Sequence, residues 1–246
     1  MKTSAVGTGD IPVNNSKIRD FILSSCANRL AGTKKVIWYF ETLVLSARYI
    51  QLLKLSKWGR DSKRYKNRFA LWQNELNPRI APGAIAYEFG VATGAATKWW
   101  SNQNVPFGEW HGFDTFSGLP TARERGGIDV MKAGVFDQTG NKSKLPVIDA
   151  NYDIHFHEGL ISETLVKTGF QIMNDRQKIV FVDVDLYEPT KEILFYFAEN
   201  LKTGDLIYFD EAFDPWNEGL AIREMLQSLP PFKALAHTGS ALLIQF

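Results

Sequence analysis

Ile179 to Val182 form a four-residue apolar run that meets two aspartates, Asp183 and Asp185, and no other stretch limits the possible folds as much. An apolar run bounded by charge reads as a parallel strand buried on both faces. Alternate strand residues point the same way, so both carboxylates are expected to project from one face of the strand end. Residues 205–211, Asp-Leu-Ile-Tyr-Phe-Asp-Glu, repeat the pattern and close on Asp210 and Glu211. In open α/β sheets, ligands bind outside the carboxyl ends of the strands. Two strands ending in acids therefore predict a metal-binding or acid/base site at one edge of a sheet.

The surrounding sequence alternates between strand and helix patterns. Strands are expected at Ala84–Phe89, Trp110–Phe113, Tyr152–Phe156, Lys178–Val184 and Leu206–Phe209, and helices at Ala95–Ser101, Leu160–Thr168, Pro189–Leu201 and Pro215–Ser228. Phe232–Ala236 and Ala241–Phe246 flank a Thr-Gly-Ser turn and predict a closing hairpin. This order argues an α/β fold, a doubly wound, mostly parallel sheet of seven strands with an antiparallel hairpin at its end. Residues 117–150 carry Gly, Pro and charge without periodicity and predict a long loop, the kind that forms lids. Residues 17–75 show only helical periodicity behind a polar tail at 1–16. The expected division is a helical extension, residues 1–79, serving as lid or oligomerisation element, and a core, residues 80–246.

The formal net charge of +1 conceals an asymmetry: residues 1–79 carry a balance of +10 and the remainder −9. The basic density peaks over 54–68, which reads as a solvated helix face or a patch for an anionic partner. The acidic core argues against nucleic acid. Cys26 is the single cysteine, so no disulfide forms within the chain. The first ten residues lack the apolar core of a secretory signal, and the stretch Val36–Leu55 is interrupted by Glu41, Arg48 and Lys54. A cytoplasmic protein without a membrane span is expected. The apolar helix expected over 36–53 is long enough to pair with a second copy, predicting a dimer or larger homo-oligomer.

Tyr87-Glu88-Phe89-Gly90-Val91-Ala92-Thr93-Gly94 follows the first expected core strand and opens a helix. Glycines there let the backbone approach a ligand. The spacing is not that of the dinucleotide fingerprint. An acid at Glu88 opposes a pyrophosphate and suits a cation, such as the sulfonium and amino group of S-adenosylmethionine. The next strand ends at Asp114, placed for ribose hydroxyls.

Three segments together resemble the macrocin O-methyltransferase family: Tyr87–Val91, Gly112-Phe113-Asp114-Thr115-Phe116-Ser117-Gly118-Leu119-Pro120, and Asp183-Val184-Asp185-Leu186-Tyr187-Glu188-Pro189-Thr190. The resemblance spans roughly residues 84–246 and does not reach residues 1–75. It implies a Rossmann-like methyltransferase using S-adenosylmethionine, and a donor site drawn from Glu88, Gly90, Val91, Gly94, Asp114, Thr115, Glu158, Gly159 and Asp183. It also implies a magnesium ion on Asp183, Asp210 and Glu211, with Asp185 as base beside Asp183. The family usually shows Asp-Asp where this chain has Asp210-Glu211. Such a metal would lower the pKa of an acceptor hydroxyl on a sugar or other small molecule. Three other uses are open: methylation of an amine such as an amino sugar, a donor-binding adaptor without catalysis, and a local helix-capping role for Asp185. His157, ending the third expected core strand, suits a donor contact or a structural place better than a base. Trp216, soon after the acidic pair, is a candidate wall of the acceptor pocket.

Overall fold

The computed structural model describes residues 39–47 and 62–246, apart from 126–127, 138–145, 168–169 and 226–227. The expected tail at 1–16, Cys26 and most of the basic segment lie outside the described residues. The chain divides into two compact units, Met1–Leu43 and Val44–Phe246. Residues 39–47 are helical, with Tyr39, Phe40, Leu43 and Val44 exposed. No helix among the described residues is long and apolar enough to cross a membrane.

An eight-stranded sheet organises the second unit. Its strands are β1 (Lys63–Arg64), β2 (Ala84–Phe89), β3 (Phe107–Asp114), β6 (Asp153–Glu158), β7 (Lys178–Val182), β8 (Leu206–Phe209), β9 (Lys233–His237) and β10 (Leu242–Gln245). Their spatial order is β6-β3-β2-β7-β8-β10-β9-β1. The pairs β2–β3, β3–β6, β2–β7 and β7–β8 are parallel, and β10 runs antiparallel to both β8 and β9. This is the doubly wound α/β arrangement the alternation predicts. The sheet has one strand more than expected because Lys63–Arg64 pairs with Ala236 and His237 at its edge.

The buried strands explain themselves by register. Ile85, Tyr87 and Phe89 of β2, with Val180 and Val182 of β7, face one side of the sheet and pack on Ile193, Leu194 and Phe197. These last belong to helix α3 (Tyr187–Ala198). Ala84, Ala86, Ile179 and Phe181 face the other side and pack on Trp100 of α2 (Ala95–Ser101) and on Leu71, Trp72 and Leu76. Those three residues precede the expected boundary at 79/80. Leu71 closes α1 (Arg68–Leu71), and a wide helical turn, Trp72–Leu76, continues it. Trp72 reaches Trp100, Phe181 and Tyr208 at ring-centroid distances of 5.6, 5.9 and 5.3 Å. At the amino-terminal edge of the sheet, buried Lys178 pairs with buried Asp205 at 2.9 Å.

The chain winds outward from β2 through β3 to β6, then returns to β7 and β8 on the opposite flank. The winding therefore reverses between β2 and β7, which is where such sheets open a crevice. Hydrogen bonds carry the ladder past the strand ends: Gly90 donates to Phe113, Asp183 to Phe89, and Asp210 to Val182, at 2.9–3.0 Å. The tips that bear the acids are thus held in register by backbone. The stretch over 117–137 also contains a hairpin, β4 (Arg123–Arg125) against β5 (Ile128–Met131), which aperiodic sequence concealed.

Candidate active site

A cavity of about 430 Å³ opens at the carboxyl ends of β2, β3, β7 and β8. It draws together most of the residues singled out from sequence. Glu88, Gly90 and Val91 line it from the glycine turn, Asp114 and Thr115 from the end of β3, and Gly159 from the end of β6. Asp183, Asp185, Asp210 and Glu211 line it from β7 and β8. Gly94 and Glu158 are not part of its lining. Gly94 instead turns the chain into α2 at φ 76°, close to Pro146 and Ile148, and Glu158 is exposed at the end of β6.

The glycine turn is shaped by crowding. Gly90 sits at φ +91°, and a Cβ there would meet the Asp183 carbonyl oxygen at 1.8 Å. Ala92 follows at φ 48°. Its amide donates to Asp114 Oδ2 at 2.8 Å, and the Phe116 amide donates to Oδ1 at 2.7 Å. Asp114 therefore clamps two loops and still faces the cavity, since each carboxylate oxygen carries a second lone pair.

Glu88 is buried, and its Oε2 accepts from the Thr97 hydroxyl and from Trp110 Nε1. Burial pushes its carboxyl up to about 7 against those two hydrogen bonds. A cationic group arriving in the cavity would draw the proton off. The sign for stability follows from linkage. The folded pKa lies above the unfolded one, so folding gains full benefit below about 4.5 and loses it as pH rises towards about 7. The loss is on the order of 3 kcal/mol. Glu88→Gln is expected to flatten that part of the pH dependence. Urea unfolding at pH 5 and pH 8 checks it, and an unchanged difference between the two pH values would exclude the assignment.

Asp183 and Asp185 do not project as an alternating strand pair. β7 stops at Val182, and Asp185 lies in the left-handed region at φ 63°. The two carboxylates face different partners. Arg68 Nη1 donates to Asp183 Oδ2 at 3.2 Å and to Asp210 Oδ1 at 3.4 Å. Arg123 Nη1 donates to Asp185 Oδ1 at 2.5 Å, while its Nη2 donates to Asp214 Oδ2 at 2.8 Å and pairs with Glu211. Arg125 adds contacts of 3.4 Å to Glu211 and 3.2 Å to Asp214. Asp185 does not cap α3. Leu186 occupies the cap position, and no side-chain hydrogen bond closes that end.

These environments separate the acids. A third of the Asp183 side chain is accessible. Burial, then Asp210 and Asp185, push its carboxyl up to about 8, with Arg68 acting in the opposite sense. Burial also raises Asp185, although Arg123 opposes it. Burial would raise Asp214 too, but Asn217 and Arg123 hold it below the ordinary carboxylate range.

Magnesium on Asp183, Asp210 and Glu211 does not fit this arrangement. The Arg68 guanidinium bridges the first two acids, and Glu211 is turned to Arg123 and Arg125. Among the described residues no three His, Cys, Asp or Glu side chains gather as a metal site.

Three contributors escaped the sequence. Arg68 and Arg123, with Arg125 beside the latter, bring positive charge to the acids. Glu218 is wholly buried at the start of α4 (Glu218–Met225), its Oε1 accepting from the amides of Val184 and Asp185 and its Oε2 from that of Glu211. It staples the tips of β7 and β8 together. The sequence signals were the basic segment 54–68 that ends on Arg68, an Arg-x-Arg pair in an unassigned loop, and a first-turn acid. His157 belongs to a stacked group, with its Nε2 3.1 Å from His111 Nδ1 and its ring on Phe113, and it does not line the cavity. Trp216 does not line it either.

No protein-family model matches the chain, and no curated protein sequence matches it. Solved structures do. The chain is similar to CalS11, a calicheamicin methyltransferase, at 21% identity over 83% of this chain and 92% of that one, with a TM-score of 0.43. An apo structure of CalS11, described as a TDP-rhamnose 3'-O-methyltransferase of calicheamicin biosynthesis, matches at 21% identity over 83% and 94%, with a TM-score of 0.41. The O-methyltransferase NovP matches at 16% identity over 72% and 76%, with a TM-score of 0.46.

Proposed function

We propose that the chain transfers a methyl group from S-adenosylmethionine to a hydroxyl of a small molecule such as a sugar or natural product. One observation carries this reading. A single cavity at the winding reversal holds a glycine turn, an acid suited to a cation, an acid suited to ribose, and a group of carboxylates beside them. Glu88 and the turn at Gly90 and Val91 face the methionine part of the donor, Asp114 and Thr115 the ribose, and Gly159 the base.

The donor's sulfonium is already activated, so the protein has only to align it and ready the acceptor. An acceptor oxygen lone pair attacks the methyl carbon. The new C–O bond forms as the C–S bond breaks, and the sulfur keeps the electron pair as S-adenosylhomocysteine leaves. The hydroxyl proton passes to a carboxylate. Asp183 takes that role ahead of Asp185, because its carboxylate is open to the cavity and Asp185 Oδ1 is engaged by Arg123. Arg68 opposes the upward shift of Asp183 and so favours its ionised form.

Calorimetry with S-adenosylmethionine and S-adenosylhomocysteine tests the donor site, and absence of binding by both sinks the reading. An acceptor screen read by a mass gain of one methyl group identifies the substrate. With an acceptor in hand, Asp183→Asn is expected to lower kcat by about 100- to 10,000-fold at nearly unchanged donor affinity. The base must be deprotonated, so wild-type kcat/KM should climb towards pH 8 and level off above it. If Asp185→Asn loses more turnover than Asp183→Asn at equal stability, the base is Asp185.

A further inference from the structure

The Asp183–Asp210 pair has a built-in counter-ion. Two carboxylates near each other in a low-dielectric crevice repel, and the fold must supply positive charge or leave one protonated. One nitrogen of Arg68 lies within 3.4 Å of both. Its place is prepared by the local sequence. Asn67 Oδ1 accepts from the Ala70 amide at 3.0 Å, capping the helix that Arg68 opens. The guanidinium sits 5.6 Å from the Phe69 ring and 5.5 Å from that of Trp72, itself buried against the sheet. Such rings attract a delocalised cation that never loses its charge. On the far side, the Tyr208 hydroxyl donates to Asp210 Oδ1 at 2.5 Å, using a second lone pair of the oxygen that Arg68 contacts. Glu211, the remaining acid of the expected metal set, is drawn away by Arg123 and Arg125.

We propose that Arg68 is the resident cation of this site and stands where a divalent metal would otherwise bind, so that Asp183 and Asp210 serve a guanidinium and not a metal. The consequence for turnover rests on the methyl-transfer reading, whereas the ion preference of the acid pair does not. A guanidinium donates hydrogen bonds but offers no empty orbital to an acceptor hydroxyl. Arg68 therefore orients the hydroxyl and its base without ionising it as a Lewis acid would, leaving the proton to Asp183.

The test uses manganese(II) alone as a spectroscopic stand-in for magnesium, titrated into the full chain and followed by electron paramagnetic resonance. The wild-type chain is expected to show no manganese bound at the acid pair. Arg68→Ala and Arg68→Gln should each gain at least tenfold in manganese affinity, and adding Asp210→Asn to either should abolish the gain. The Gln variant keeps most of the side-chain stem if Ala disturbs the fold, and a matching circular dichroism melt shows which variant is interpretable. Two outcomes overturn the proposal: a wild-type site for manganese that Asp210→Asn removes, or equal manganese binding by wild type and both Arg68 variants, whether tight or absent. Donor calorimetry on the same samples reports separately on the methyl-transfer reading.

Discussion

Arg123→Leu is expected to destabilise the protein by about 3–5 kcal/mol, the range for removing one partner of a buried ionic cluster. Arg123 is 1% exposed and reaches Asp185, Glu211 and Asp214 at once. Leucine fills much of the volume but leaves Asp185 and Asp214 without their main counter-charge, in surroundings that already oppose ionisation. The cost is therefore uncompensated charge and not lost packing. The same change frees β4 from the strand ends, so the hairpin over the cavity should become a preferred site of proteolytic cutting. Arg125 provides the control. It shares Glu211 and Asp214 but is a quarter exposed, and Arg125→Leu should cost about 1 kcal/mol or less. Urea unfolding of the three proteins at pH 7 decides. Equal midpoints for the two variants would mean that Arg123 is not what fastens the hairpin.

The same contrast separates what local sequence encodes from what only tertiary packing decides. Acid-tipped apolar runs and a glycine turn are local patterns, and each survives in the structure because backbone pairing alone positions it. Val182, Phe89 and Phe113 accept the very hydrogen bonds that bring Asp210, Asp183 and Gly90 side by side. That is why Glu88, Asp114, Asp183, Asp185, Asp210 and Glu211 meet in one cavity. The cations were not legible, because a guanidinium's partner is chosen by tertiary packing. Arg68 meets an acid 115 residues away, and Arg123 meets one 62 residues away. Glu218 was hidden for another reason. An acid in the first turn of a helix reads as a dipole partner facing water, and only burial against the tips of β7 and β8 reveals it as an acceptor for their amides. Asp185 departs from the expected direction because period-two alternation holds only while the backbone stays extended, and its left-handed φ ends that rule.

Gly90→Ala is expected to be more damaging than any exposed substitution near the site. Two separate effects act at this position. The left-handed φ of +91° costs a side chain roughly 1–2 kcal/mol. The added methyl would also lie 1.8 Å from the Asp183 carbonyl oxygen and 2.6 Å from its carbon, both backbone atoms. No rotamer change relieves that overlap. Either the glycine turn lifts away or the end of β7 shifts by more than an ångström, and the hydrogen bond from the Asp183 amide to Phe89 goes with it. Gly83→Ala isolates the first effect, since Gly83 has φ +76° and nothing within 4 Å of the added carbon. It should lose about 1 kcal/mol and leave the cavity intact. Gly90→Ala should lose about 3 kcal/mol or more, the range of severe overpacking, and should abolish donor binding even at temperatures where the fold survives. Denaturant midpoints and calorimetry measured on both variants separate the contributions. If the two alanines cost the same and both still bind donor, the contact between Gly90 and Asp183 does not shape the site. A larger loss at Gly90 with binding gone would show that this glycine serves first to let β7 bring its aspartate alongside β2, and only through that to admit a ligand.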